Sequence, residues 1–226
     1  MQTLRVPQGD FQLSRFPVRP KESLRAWDAA DEYILATLQK PEYSIQGKRI
    51  LVANDGFGAL SVSLASQLGN RISSLTVLSD SFLSQQAIRS NCAENGVDQD
   101  RLDLNTTLQW KDQPWSSKSE RQRTVENQID IAVIKIPKSL SELEEQLLAI
   151  RPCLGSNSQV LAGGMTKLIH TSTLRLFENI LGATKTSLAV KKARLIFTEV
   201  DDSLDIPNNP YPKTCLLYTS PSPRDS

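Results

Sequence analysis

ILVANDGFGALSVSLA, residues 50–65, reads as a buried strand, a glycine-containing turn and a helix. The strand opens slightly earlier, in the short apolar run KRILVA (48–53); DGFG (55–58) is the turn, and 59–68 is the helix. The same alternation extends downstream. A strand at 75–78 ends in Ser79 and Asp80, a helix over 82–95 is closed by Gly96, and 102–105 can form a third strand. Residues 110–127 are polar and predict a long loop. IDIAVIKI (129–136) is the strongest strand, β-branched and ended by Pro137, which cannot donate to a ladder. Ser139 with Glu142 three residues on is a capping-box pattern, opening a helix to residue 150. Then come a strand at 159–162, a helix at 171–181 ended by Gly182, and strands at 184–190 and 194–198, possible arms of a hairpin around Lys191 and Lys192. Upstream, Leu24, Trp27, Ala30, Ile34 and Leu38 share one helical stripe, predicting a helix over 22–39. Residues 1–20, with Pro7, Gly9, Pro17 and Pro20, predict an extended arm anchored by Phe11, Leu13 and Phe16. Helices between strands are the usual crossovers of a parallel sheet. The expected fold is α/β: a doubly wound sheet over 21–200 with an antiparallel pair at its C-terminal end.

Composition narrows the function classes. Of 226 residues, 39% are hydrophobic, enough for a core, and the formal charge of +1 leaves any nucleic-acid contact to a local patch. Cys92, Cys153 and Cys215 are far apart, and the single His170 does not complete a zinc site with them. Scattered cysteines, no signal-like N-terminus and no long apolar run imply reduced thiols, a cytoplasmic location and no membrane span. Residues 201–213 are rich in Pro and Asn and read as a linker. The closing stretch 214–226, which contains CLLYTSPSPRDS, has no period and reads as a non-native tail on a truncated gene product, or as a natural disordered tail.

In a doubly wound sheet, ligands sit beyond the carboxyl ends of the strands. Gly56 and Gly58 form a GxG in the first such turn, a weak signal alone. A loop for S-adenosylmethionine (SAM) usually has an acid at the end of the strand and then a GxGxG run. With Gly56 and Gly58 on the last two glycines, Val52 stands at the acid position and Asn54 at the first glycine, while Phe57 adds bulk. Asp80 ends the second strand, where an acid would bond ribose hydroxyls or else cap the helix after it. The strand at 129–136 runs into KIPK (135–138), where amine methyltransferases carry a motif such as NPPY or NPPF. One proline is kept and the groups that hold a target amine are lost.

AWDAADEYIL (26–35), NDGFGALSVSLA (54–65), IKIPKSL (134–140), IHTSTLRLFENILG (169–182) and LAVKKARLIF (188–197) together resemble the N-terminal domain of the ribosomal RNA large subunit methyltransferase G family, over residues 11–200. That family is similar to the small-subunit guanine-N2 methyltransferase C. The resemblance implies two methyltransferase-like domains in tandem, the first a degenerate Rossmann-like copy and the second carrying the SAM loop and catalysis. It further implies SAM as the family's cofactor, none held by this chain, and a guanine of ribosomal RNA as substrate. The missing C-terminal catalytic domain would be this chain's other partner.

Candidate RNA contacts are Lys135, Lys138, Lys185, Lys191, Lys192 and Arg194, with Lys167 near a predicted strand end. Each could neutralise a phosphate or simply be solvated. His170 is expected to cap or pack, Trp27 to pack, and Trp110 and Trp115 to stack on bases or fold back on the core. Three functions remain open: an RNA-recognition and folding domain inactive alone, a live SAM- or dinucleotide-binding enzyme built on Asn54, Gly56, Gly58 and Asp80, and a protein-interaction scaffold with no RNA role.

Overall fold

In the computed structural model, which describes residues 2–112 and 128–211, the run at 48–53 is an inner strand of a seven-stranded sheet. The chain begins with β1 (Gln2–Val6) and β2 (Gly9–Leu13), an antiparallel hairpin where an extended arm was expected. Leu4, Phe11 and Leu13 are buried, so period-2 alternation gives this hairpin an apolar face that rests on the domain. The first helix, α1 (Ala29–Thr37), starts seven residues later than the stripe at 22–39 predicts. The reason is a capping box: the Asp28 carboxylate accepts from the Ala30 and Asp31 N–H groups, and Asp31 accepts from the Asp28 N–H. Leu24 is consequently an exposed residue of the preceding segment.

β3 (Lys48–Ala53), α2 (Ala59–Ala65), β4 (Ile72–Leu78), α3 (Phe82–Glu94), β5 (Asp103–Asn105), α4 (Thr107–Lys111), β6 (Ile131–Lys135), α5 (Leu140–Ile150), β7 (Gln159–Met165), α6 (Thr171–Ile180), β8 (Thr184–Thr186) and β9 (Ala193–Glu199) follow. The sheet order is β5-β4-β3-β6-β7-β9-β8. The first five of these strands run parallel, while β9 is antiparallel to both β7 and β8. The predicted antiparallel pair is thus present, although β8 stops at Thr186 rather than 190. Within the predicted loop at 110–127, α4 takes the first residues and buries Trp110 against the core. Residues 113–127, with Trp115, and the tail at 214–226, with Cys215, lie outside the described residues.

Strand residues alternate between two cores, one on each face of the sheet. Ile50, Val52, Ile131 and Val133 join α1, α2, α3 and the hairpin on one side. Leu51, Ala53, Ala132 and Ile134 join α4, α5 and α6 on the other. Gly163 makes room for this packing, since a Cβ there would press on Ile34 of α1. The buried Arg151 ties the far end together, donating to the carbonyls of Ile180, Leu154 and Asp201.

Candidate functional site at the carboxyl edge of the sheet

Strand order reverses at β3, whose successors β4 and β6 lie on opposite sides of it, so a crevice opens beyond the ends of β3 and β6. A cleft of about 280 Å³ is found there, lined by the turn after β3, Lys135 of β6 and the segment before α1. Of the sequence-predicted residues of the turn, Asn54 and Gly58 are engaged with the protein itself, while Gly56 is exposed and faces open space. Asn54 takes a left-handed backbone, φ 64°, and its side chain forms a reciprocal amide pair with Gln146 of α5, at 2.6 and 2.7 Å. Its amide also donates to the Lys135 carbonyl. The buried Asp55 carboxylate accepts from the Gly58 and Ser61 N–H groups, so the chain supplies its own anion to the start of α2. Gly58 is left-handed at φ 93° and its α-carbon faces Ile88. Phe57 lies under the Arg15 guanidinium, 4.8 Å from its ring centre, and Arg25 stands over Trp27.

The floor of the cleft is an ion cluster that the sequence reading missed. Lys135 reaches Asp28 Oδ1 and Asp31 Oδ1, both at 2.8 Å, with only 13% of its side chain exposed. Burial lowers the lysine's pKa, but Asp31 and Asp28 outweigh it and hold it above the ordinary value. Burial also pushes the Asp31 carboxyl up, to about 6, against the attraction of Lys135 and helped by the charges of Asp28 and Asp55. Asp28 is held below its ordinary range, because Lys135 and two backbone N–H groups overcome its partial burial. The signal for these acids was present in DxxD at 28–31, a capping pattern at the front of a helical stripe.

The expectation that Asp80 caps α3 is not met: Ser81 caps it, accepting from the Ser84 N–H. Both Asp80 oxygens instead accept from Thr107, from its N–H at 2.7 Å and its hydroxyl at 2.6 Å, fastening β4 to α4. His170 sits at the N-cap of α6, its N–H donating to Thr173 Oγ1. Among the described residues no group of His, Cys, Asp and Glu is arranged to hold a metal ion, and no helix is long and apolar enough to cross a membrane.

The family described as RLMG N-terminal domain matches residues 1–202. The chain belongs to that family. It is 44% identical over 207 residues to the ribosomal RNA large subunit methyltransferase G of Streptomyces coelicolor, covering 92% of this chain and 49% of that one. The protein of the same description in Streptomyces griseus is 40% identical, with 94% of this chain and 50% of that one covered. The chain therefore spans about half the length of the curated relatives it matches. Among solved structures, the T. thermophilus 16S rRNA N2 G1207 methyltransferase, determined with AdoMet and guanosine, superimposes with a TM-score of 0.61 at 17% identity, over 88% of this chain and 50% of that one. This likeness places the sheet in the Rossmann-like methyltransferase fold.

Within this RLMG N-terminal domain, the basic residues singled out in the sequence fall into two groups. Lys135 is buried with its acids, Lys185 pairs with Glu199 at 3.0 Å, and Lys191 pairs with Glu32 at 3.1 Å. Lys138, Lys167, Lys192 and Arg194 form no ion pair among the described residues. They follow β6, follow β7, precede β9 and stand second in β9, which places all four at the carboxyl edge of the sheet.

Proposed function

We propose that this domain is the RNA-recognition and folding half of a cytoplasmic large-subunit ribosomal RNA guanine-N2 methyltransferase, with SAM bound and the methyl group transferred in the other half of the longer protein. The observation that carries the reading is the self-saturated cleft. SAM presents an ammonium and carboxylate at one end and ribose hydroxyls further on. The residues here do not fit it: Val52 brings no charge, Asn54 is spent on Gln146, Asp55 fills the start of α2, and Asp80 is spent on Thr107. Phe57 and Arg15 stack on one another in the wall of the cleft. The opposing charges of Arg15, Arg25 and Lys135 and of Asp28, Asp31 and Asp55 leave the cleft without a surplus for phosphate. Thermal unfolding with and without SAM tests this. A ligand at about 100 times its Kd stabilises by roughly 2.7 kcal/mol. We expect no shift at millimolar SAM; a clear rise would restore the reading of a live cofactor-binding enzyme.

A second reading, a scaffold that holds the rest of the protein without touching RNA, is favoured by one feature. Phe82, Leu83, Leu108 and Leu140 are exposed large apolar residues at the starts of α3, α4 and α5. Salt-dependent RNA binding by this chain separates the two, since a pure scaffold has none.

A further inference from the structure

We propose that the Lys191–Lys192 turn is a contact point for the phosphates of an RNA strand, held in a disfavoured backbone conformation that presents its two side chains. The inference rests on the RNA-recognition reading above and assigns it a place. Val190 and Ala193 exchange both backbone hydrogen bonds at 2.8 Å, which makes residues 191 and 192 a two-residue hairpin turn. Both lysines are left-handed, with φ 48° and 64°. This turn geometry matches strand twist, but it calls for Asn-Gly or another pair tolerant of positive φ. Lysine has a Cβ that crowds the backbone there and no short polar group to compensate.

Packing does not account for the choice, because residues 188–192 are all exposed, Leu188 at 87%. Nor does chain geometry alone, since Gly or Asn would satisfy the same hydrogen bonds. The turn is clamped by a third bond, from the Thr166 N–H to the Lys192 carbonyl at 2.8 Å, so its conformation is fixed by β7 as well as by the hairpin. Lys192 has no ion pair among the described residues, and the Lys191–Glu32 pair is exposed enough to exchange for a phosphate at little cost. The neighbourhood supplies more unmatched positive charge. Ala193 pairs with Met165, which puts the turn at the carboxyl end of β7, beside the segments that carry Lys138 and Lys167. Arg194 adds a half-buried guanidinium whose Nε is buried without a hydrogen-bond partner. A polyanion with spaced charges satisfies this edge, and the balanced cleft next to it does not compete.

The test compares the full chain with Lys192→Gly and Lys192→Arg, reading unfolding midpoints and the anisotropy of a fluorescein-labelled hairpin RNA over a salt series. Glycine relieves the backbone and removes the contact, so the two readouts should move in opposite senses. We expect the midpoint to rise by roughly 2–4 °C, as for about 1 kcal/mol in a domain of this size. RNA affinity should fall several-fold at low salt, and the log–log salt slope should fall by about 0.7–0.9, one phosphate contact. Lys192→Arg should keep both the midpoint and the slope. A glycine variant that binds RNA with the parent's affinity and slope overturns the assignment, as does one whose midpoint does not rise. If the parent chain itself shows no salt-dependent RNA binding, the RNA reading fails first; if it binds and only the variant comparison is flat, that reading stands and this turn is excluded.

Discussion

Replacing Lys135 with methionine probes the cluster at the floor of the cleft. Methionine nearly matches the lysine stem in length and apolar character, so the change chiefly removes one charge. What remains is Asp31, 7% exposed, with Asp28 and the buried Asp55 as like-charged neighbours. Removing one partner of a buried ion pair costs about 3–5 kcal/mol when the other must stay charged. Asp31 has a way out, because it can take up a proton. Holding a carboxyl neutral above its ordinary range costs about 1.4 kcal/mol for each pH unit, so the escape is cheap near pH 5 and useless near pH 8. The sign follows. The folded Asp31 already has a raised pKa, so the folded state binds a proton more tightly than the unfolded chain, and stability declines as pH rises from about 4 through 6. Loss of Lys135 raises that pKa further and moves the decline to higher pH. Chemical denaturation should therefore show a deficit of about 3–5 kcal/mol for Lys135→Met near pH 8 and about 1–2 kcal/mol near pH 5. Adding Asp31→Asn removes the stranded charge and should recover most of the loss near pH 8. A deficit that is equal at both pH values, or a double variant no better than the single, would refute the role given to this cluster.

Other positions give sharper single readings. Asn54→Gly supplies the glycine a SAM loop would have, yet it should destabilise by about 1–2 kcal/mol, because the buried Gln146 amide loses both bonds; urea midpoints measure this. Gly182→Ala should cost several kcal/mol or abolish folding, since φ is 139° and a Cβ would collide with the Glu199 carbonyl; expression level and circular dichroism report it. Asp80→Ala should cost about 1–2 kcal/mol by leaving the N–H and hydroxyl of Thr107 without their acceptor, and it should leave any SAM response unchanged; a thermal-shift comparison checks both. Cys92 should resist thiol reagents in the folded chain, because burial pushes its thiol up to about 12; a labelling time course with and without denaturant decides this.

The fold was legible because its signals are local and periodic. The runs at 48–53 and 129–136 are apolar on both faces, as strands covered by helices on both sides must be, and β3 and β6 form there. Helix starts fixed by caps were harder. The apolar stripe at 22–39 continues through residues that are not helical, since Asp28 captures the N–H groups that would have joined a longer helix. The hairpin at 2–13 was hidden because Gly9 and Pro7 mark a turn whose flanking strands bury only three side chains. In the site, the residues at 54–58 and 80 were found from their place in the chain, but not their partners. Gln146 lies 92 positions from Asn54, Thr107 lies 27 from Asp80, and Lys135 reaches 107 positions back to Asp28. Pairings of that range come from the sheet order, which a single sequence does not spell out.

Those pairings also mean that the departures in the turn are not independent. A loop shaped for a ligand leaves N–H groups and a cavity that the ligand satisfies when it binds. Here the substitutes are internal: an acid from the turn itself on α2, an amide from α5 on the turn, a lysine from β6 under the segment before α1. Each fills a need that another's change creates, so restoring one ligand-binding residue strands its present partner. Val52→Asp would bury a carboxylate in the core, and the cleft's lysine, Lys135, is already shared by two acids. Single reversions are thus expected to lose stability without gaining SAM, and recovery of binding would require the turn, Lys135 and the Asp28–Asp31 cap to change together.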